Sequence, residues 1–188
     1  MKINSISLIS LVSTLACAAN ANAGVIADFY AGALAGVGGQ TMFADSKNET
    51  DSASVFGAMV GMDLPIFRVE AEYDYFTASD LNTNAALLNL YAKMPSTIIQ
   101  PYIGGGIGMV FGGDQKLVKN DVKSKYDIDT TAAYQAMLGA TIAILAVPIK
   151  FDIEGRALYA PNVYSIEGSN IKPDMLQYNL RAKVRYIF

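Results

Sequence analysis

The sequence predicts an all-β fold, an eight-stranded antiparallel up-and-down transmembrane β-barrel, and two observations carry this prediction. The first is the C-terminal segment 174–188, where apolar residues occupy every second position down to Phe188 and polar or cationic residues lie between them. A β-strand places alternate side chains on opposite faces. Three cations on one face and an apolar opposite face are typical of a strand with lipid outside and a polar lumen inside. The second observation is that the connections between the predicted strands alternate between long and short.

Seven further segments show strand-like composition or alternation. Segment 66–76 is the clearest of them, because Phe67, Val69 and Ala71 alternate with Arg68, Glu70 and Glu72. Period-two alternation is the signal of a strand with two different faces. The predicted strands are 25–38, 53–62, 66–76, 84–94, 101–111, 131–145, 149–159 and 174–188.

The predicted connections alternate between long and short along the chain. The long ones are 40–52, 77–83, 112–130 and 160–173, and the short ones lie at 63–65, 95–100 and 146–148. An up-and-down barrel with both termini in the periplasm has long extracellular loops and short periplasmic turns. A lipocalin or a β-sandwich has no reason to sort connections in this way.

The chain divides into an expected leader, 1–23, and an expected barrel domain, 24–188. Lys2 and the apolar run after it, followed by Ala21 and Ala23 at an A-x-A cleavage site, are the pattern of a secretory signal peptide. Apolar residues make up 52% of the 188 residues, yet beyond the N-terminus no run is long enough for a membrane-spanning helix.

Composition excludes several kinds of site. Histidine is absent and Cys17, within the expected leader, is the only cysteine, so we expect no disulfide and no imidazole or thiolate metal site. Without a histidine base we expect no enzyme, no catalytic residues and no cofactor. After leader removal, thirteen basic residues stand against seventeen acidic ones, a net charge of −4. Nucleic acid is therefore not an expected partner.

Aromatic residues on the lipid-facing parity collect near strand ends. Two aromatic girdles are expected where a barrel meets the two membrane interfaces. Phe67 belongs to the turn-end girdle, together with the terminal aromatics, and the others belong to the loop-end girdle. The predicted girdle residues are Phe56, Phe67, Tyr75, Phe111, Tyr134, Tyr159 and Tyr178.

Charged residues on the opposite parity are predicted to point into the lumen. An eight-stranded barrel is just wide enough for side chains to fill it, and buried charges are costly unless paired. The near balance of signs therefore predicts a salt-bridge plug, with Gly104, Gly106 and Gly108 leaving room for the arginines. The predicted lumen residues are Arg68, Glu70, Glu72, Asp74, Lys93, Lys150, Asp152, Glu154, Arg156, Arg181, Lys183 and Arg185.

The terminal RYIF, the RVEAEYDYF strand, the PYIGGGIG strand and the leader together resemble a known family. The chain is similar to the small eight-stranded outer-membrane barrels of the OmpA/OmpX/opacity-protein type. The resemblance implies a Gram-negative outer-membrane location. It also implies that the barrel-assembly machinery reads the terminal aromatics, here Tyr186 and Phe188.

Three hypotheses about function follow. The first is a non-enzymatic, monomeric surface barrel with a structural or adhesive role. It would be embedded in outer-membrane lipid and lipopolysaccharide, and a host or cell-surface ligand would bind the loops 40–52, 77–83, 112–130 and 160–173. The second is a narrow channel for ions or small solutes. The third is a soluble periplasmic barrel that carries an apolar ligand and turns its charges outward.

Overall fold

A computed structural model describes residues 27–44, 47–78, 81–96, 98–112, 130–144, 146–163 and 174–188. The predicted leader, 1–23, lies outside the described residues. The described part of the chain contains no helix that is long and apolar enough to cross a membrane.

Eight antiparallel strands form one closed barrel. Each strand pairs with the next, and β1 also pairs with β8, so the described ladder has no free edge. The strands are β1 Asp28–Ala44, β2 Lys47–Asp63, β3 Phe67–Ala78, β4 Leu81–Lys93, β5 Ile99–Phe111, β6 Thr131–Ala143, β7 Ile149–Ala160 and β8 Asp174–Ile187.

The register fixes the tilt of the strands. A path through successive paired residues that leaves β1 at Tyr30 returns to β1 at Gln40, ten residues further along. For eight strands this stagger corresponds to a tilt of about 40° from the barrel axis. The barrel has a turn end, where the connections 64–66, 94–98 and 144–148 lie, and an opposite loop end. Both termini of the described barrel are at the turn end, where the Phe188 amide donates to the Phe29 carbonyl (2.9 Å).

The structure corrects the prediction for two of the loops. Residues 40–52 were expected to be a long connection, but β1 continues to Ala44 and β2 begins at Lys47, with these two residues paired. Similarly, 77–83 is mostly strand, because Ala78 of β3 pairs with Leu81 of β4. A ladder that extends beyond the membrane is held by main-chain hydrogen bonds and requires no apolar side chains. Polar composition was therefore a poor guide to where these strands end, and the predicted alternation of connection lengths is wrong for the first and third connections.

The other two predicted loops fall mostly outside the described residues. Gly112 and Thr130 flank 113–129, and Pro161 to Val163 follow β7 before 164–173. The three short turns lie where they were predicted, and strand boundaries elsewhere differ from the predicted ones by three residues at most.

The core of the protein lies inside the barrel. In β3, residues from Arg68 to Phe76 alternate strictly between buried even and exposed odd positions. The exposed members are apolar or aromatic, as in Val69 and Tyr73, and the buried members include four charged residues. This is the reverse of a water-soluble barrel, in which the apolar face is the buried one.

Tyrosine–glycine pairs recur between neighbouring strands of the wall. Tyr30 pairs with Gly61, Tyr91 with Gly104, and Tyr102 with Gly139. In each pair the aromatic ring lies over the glycine, so that an added Cβ would come within 3 Å of the ring. Glycine thereby lets a large ring lie flat against the wall of a lumen that has little free space.

The structure also corrects the expected role of the β5 glycines. Gly104 makes room for the Tyr91 ring, and Gly106 for Asn89 and Gln135, rather than for arginines. The arginine stems lie instead over β1. An added Cβ on Gly32 would be 3.2 Å from Cγ of Arg185, and one on Gly36 would be 3.0 Å from Cγ of Arg181.

We expect Gly139→Ala to destabilise the barrel by about 1–3 kcal/mol, the usual effect of overpacking. The new methyl group would lie 2.5 Å from the Ile153 carbonyl oxygen and 2.6 Å from the Tyr102 hydroxyl. It must therefore displace the β7 backbone, or a ring whose hydroxyl donates to Glu154 (3.0 Å). Urea unfolding of the refolded barrel in lipid vesicles measures the change.

Gly155→Ala is the matched control, because its Cβ would lie 3.8 Å from the nearest backbone oxygen, that of Leu138, on the open outer surface. Equal unfolding midpoints for the two variants would contradict the packing role of the tyrosine–glycine pairs.

Candidate functional site

The candidate site is the charged interior of the barrel. All twelve charged residues predicted for the lumen have side chains directed inward; eleven are buried and Lys150 is half-buried. Asp63, which was assigned to a turn, joins them. The described lumen thus holds seven cations and six carboxylates. Because an isolated charge would be strongly disfavoured here, the pairing among them decides whether the interior is stable.

Asp63 organises the turn end of this network. Its carboxylate accepts from Lys93 and, at 2.9 Å, from Lys150. Arg185 approaches the same carboxylate at 3.4 Å. Three cations from three different strands therefore converge on one acid at the mouth of the lumen.

Arg185 also makes the best-formed ion pair of this end. Its Nε donates to Oδ2 of Asp152 (2.6 Å) and its second guanidinium nitrogen donates to Oδ1 (2.8 Å). Thr141 donates its hydroxyl to the same carboxylate and accepts from Arg185 (3.0 Å). A two-pronged contact of this kind fixes direction as well as distance.

Glu70 lies nearer the middle of the barrel and is surrounded by donors. The hydroxyls of Tyr30 and Tyr91 donate to it at 2.7 and 2.9 Å. Lys183 donates to the same carboxylate at 3.0 Å and to Glu72 at 3.1 Å. The two carboxylates are thus bridged by one ammonium.

Arg181 connects three carboxylates. It donates to Glu154, to Glu72 at 2.6 Å and, more weakly, to Asp74 at 3.3 Å. Arg156 completes this part of the network with a 2.6 Å bond to Asp74. The ion pairs therefore run from the turn end to a level just below the loop end, and they join strands on opposite sides of the lumen.

Arg68 is exceptional because its guanidinium forms no hydrogen bond within the described residues. Its side chain is fully buried, with Asp152 at 3.6 Å and Glu70 at 4.0 Å. The guanidinium carbon lies 3.9 Å from the ring centre of Tyr91 and 4.6 Å from that of Tyr102. The two nearby carboxylates and cation–π contact with two rings together stabilise this charge.

An apolar layer lies above the charges at the loop end, and sequence reasoning missed it. Its strand residues occupy inward-facing positions, and Val163, which follows β7, packs against them. Arg156 marks the boundary between charges and apolar layer, since its guanidinium carbon lies 4.8 Å from the Phe76 ring centre. The layer consists of Val55, Phe76, Ala85, Val110, Ala133, Leu158, Ala160, Val163 and Met175. Leu34, Met59 and Leu87 belong to the same cluster and extend it to the level of Glu72 and Asp74.

Other lumen residues that sequence reasoning missed are uncharged. Tyr30, Tyr102, Gln135 and Thr141 all contact the charged groups. The signal for them was the parity of their strands, which assigns each to the inner face. Asp63 could have been found in the same way, because it is the next odd-numbered, inward-facing position of β2.

The predicted aromatic residues lie on the outside of the barrel. Six of the seven are exposed and Phe111 is half-buried. Phe29, Tyr73 and Phe151 share this surface and were not predicted. The terminal pair, Tyr186 and Phe188, is also exposed, with ring centres 5.5 Å apart in an edge-to-face arrangement.

The orientation of the side chains contradicts one of the three hypotheses. A soluble carrier requires an apolar lumen and charges on the outer wall, whereas here the charges fill the lumen and Leu88, Ile103 and Leu138 are more than 60% exposed. An outer wall of this kind is covered by lipid. The carrier hypothesis is wrong because the charged side of each strand faces the lumen and the apolar side faces outward.

Comparison with known proteins assigns the family. Residues 8–188 match the outer membrane protein beta-barrel domain. The chain belongs to this family. Its eight strands therefore span the outer membrane of a Gram-negative envelope. No curated protein sequence matches the chain.

One solved outer-membrane barrel shares the fold at low sequence identity, and two others give lower scores. Neisserial surface protein A (NspA) superposes with a TM-score of 0.64 at 17% identity, covering 85% of this chain and 97% of the other. The N-terminal barrel of Pseudomonas aeruginosa OprF gives 0.49 at 11% identity, covering 83% and 97%. Ail of Yersinia pestis gives 0.45 at 9% identity, covering 85% and 99%.

We expect Arg181→Leu to destabilise the outer-membrane barrel by about 3–5 kcal/mol, because removal of one partner leaves buried carboxylates uncompensated. Glu72, Asp74 and Glu154 would all lose a donor. The measurement is urea unfolding in lipid vesicles. The fraction folded is read from the fast-migrating band in unboiled gel samples, which disappears on unfolding.

Lys150→Leu serves as the control for removal of a cation. Lys150 is half-buried, and Asp63 retains Lys93 and Arg185 when it is lost. We expect a clearly smaller shift in the unfolding midpoint. A shift as large as that of Arg181→Leu would show that the connectivity of the network does not determine its contribution.

Proposed function

We propose that the chain is a non-enzymatic surface barrel of the outer membrane whose lumen stays closed and whose loop end binds ligands. The observation that carries the proposal is the double filling of the lumen. The charged network occupies the turn end and middle, and the apolar layer occupies the loop end. Solutes would have to break ion pairs and displace packed apolar side chains to cross, and neither step has an evident driving force.

The loop end supplies the surface for an adhesive or structural role. The β1–β2 hairpin continues as a paired ladder from Phe56 of the loop-end girdle to Lys47, a further nine residues. Its sequence from 44 to 52, ADSKNETDS, is polar throughout apart from Ala44. A paired polar hairpin that projects into water is suited to contact with another surface. NspA is named as a surface protein, and the same exposure is proposed for this loop end.

A narrow channel remains the second candidate, and one observation favours it. The described lumen has one more cation than carboxylates, and the Arg68 guanidinium lacks hydrogen-bond partners among the described residues. An anion that entered from the turn end would find an available donor there.

Planar-bilayer recording of the refolded chain distinguishes the two candidates. We expect no unitary conductance, because both layers of the lumen are filled. A larger porin added afterwards to the same bilayer controls for the ability to detect channels. Anion-selective unitary steps that Arg68→Leu abolishes would support the channel and contradict the closed barrel.

Surface labelling of intact cells tests the proposed location and orientation. We expect a short epitope inserted within 113–129, between β5 and β6, to be labelled by antibody on intact cells. The same epitope at 95–97, in a turn, should be labelled only after permeabilisation. Loss of cell binding when 42–49 is replaced by a two-residue turn, with surface labelling retained, would support adhesion by the hairpin. Labelling of the turn epitope on intact cells would contradict the orientation.

A further inference from the structure

The turn end of the barrel is apolar, which sets it apart from the polar hairpin at the opposite end. The three turns cover 64–66, 94–98 and 144–148, and none contains a charged residue. Large apolar side chains there are between 44% and 68% exposed. We define the turn ring as Ile66, Met94, Ile98, Ile144, Val147 and Phe188.

Charged residues near the turn ring occupy the inward parity of their strands. Lys93 and Lys150 both pair with Asp63 inside the mouth, and Asp28, which is exposed at the start of β1, shares the inward parity of Tyr30. The six residues of the turn ring therefore carry no charged side chain. The ring is also continuous with the lipid-facing wall through Phe67.

Several main-chain groups of the turns form hydrogen bonds within the turn end of the barrel. The amides of Leu64, Met94 and Val147 donate within the turn end at 2.8, 2.9 and 3.3 Å. The Ile66 and Pro148 carbonyls accept from neighbouring strands at 2.8 Å each. Each turn also contains one proline, which has no amide to satisfy. Internal satisfaction of backbone groups is the requirement that a lipid environment imposes.

The height of the barrel points in the same direction. The two girdles are eight residues apart on β3, from Phe67 to Tyr75, which is about 20 Å along the axis of a barrel tilted by about 40°. The apolar band of outer-membrane barrels is about 25 Å tall. Ile66 precedes Phe67 by one residue, and Met94 follows Ala92, the partner of Phe67, by two residues, so both lie beyond the girdle and add to this height.

We propose that the turn ring is a lipid-binding surface, buried among the phospholipids of the inner leaflet. The barrel therefore ends within the bilayer on the periplasmic side and extends beyond it only at the loop end. The chemistry recognised is the acyl-chain and glycerol region of a phospholipid. The ring is continuous with the lipid-covered wall, and this continuity favours lipid over a periplasmic protein or a second copy of the chain.

Fluorescence from single cysteines tests this surface. The chain has no cysteine beyond Cys17, so the expected mature chain accepts Met94→Cys and Val147→Cys, each labelled with an environment-sensitive nitrobenzoxadiazole probe. Leu138→Cys, in the middle of the lipid-facing wall, is the membrane control. Ser52→Cys, exposed on the polar hairpin, is the aqueous control. Lipid nanodiscs leave both faces open to solution, and only refolded, heat-modifiable barrels are measured.

We expect the probes at 94 and 147 to emit at shorter wavelength than the probe at 52. They should be quenched by phospholipids that carry a nitroxide near the headgroup and be several-fold less sensitive to iodide than the probe at 52. Iodide sensitivity equal to that at position 52 would overturn the proposal, because the ring would then lie in water. Protection from both quenchers would also overturn it, because a protein contact would then cover the ring.

Discussion

The interior ion pairs are the interaction on which the rest of this structure depends. Lipid outside requires an apolar outer wall, and period-two alternation then leaves the polar half of every strand facing a lumen that is barely wide enough for side chains. Thirteen charges lie in that space among the described residues. They are tolerable because each of the six carboxylates contacts at least two cations. The pairs connect distant strands, so they also oppose opening of the barrel.

Much of the fold could be predicted because one rule, alternation, acts on every strand. Parity alone assigned Arg68, Asp152 and Arg185 to the inside and Phe67 and Tyr178 to the outside. The closed eight-stranded barrel and its family are confirmed. Parity cannot say where a strand ends once it leaves the membrane, because main-chain pairing continues without apolar side chains. The loops predicted at 40–52 and 77–83 were wrong for that reason.

The details of the interior were less predictable because they depend on stagger between strands. Which glycine makes room for which side chain follows from the ten-residue shift around the barrel. A single sequence does not reveal that shift, so the arginines were assigned to the glycines of β5 instead of Gly32 and Gly36 of β1. The apolar layer was overlooked because Val55, Phe76 and Leu158 share a level only after the strands are tilted and closed.

The paired β1–β2 hairpin has a consequence for how this protein can vary. Above the loop-end girdle its shape is set by main-chain bonds from Gly39 to Ala44 and from Lys47 to Ser52, while the lumen below it is set by packing and charge. The two regions therefore tolerate mutation differently. Side chains of the hairpin can change in charge and size while its backbone keeps one geometry, whereas a change at Arg181 or Gly139 disturbs several strands together. Such a scaffold allows the side chains of this hairpin to diversify without loss of the fold that presents them.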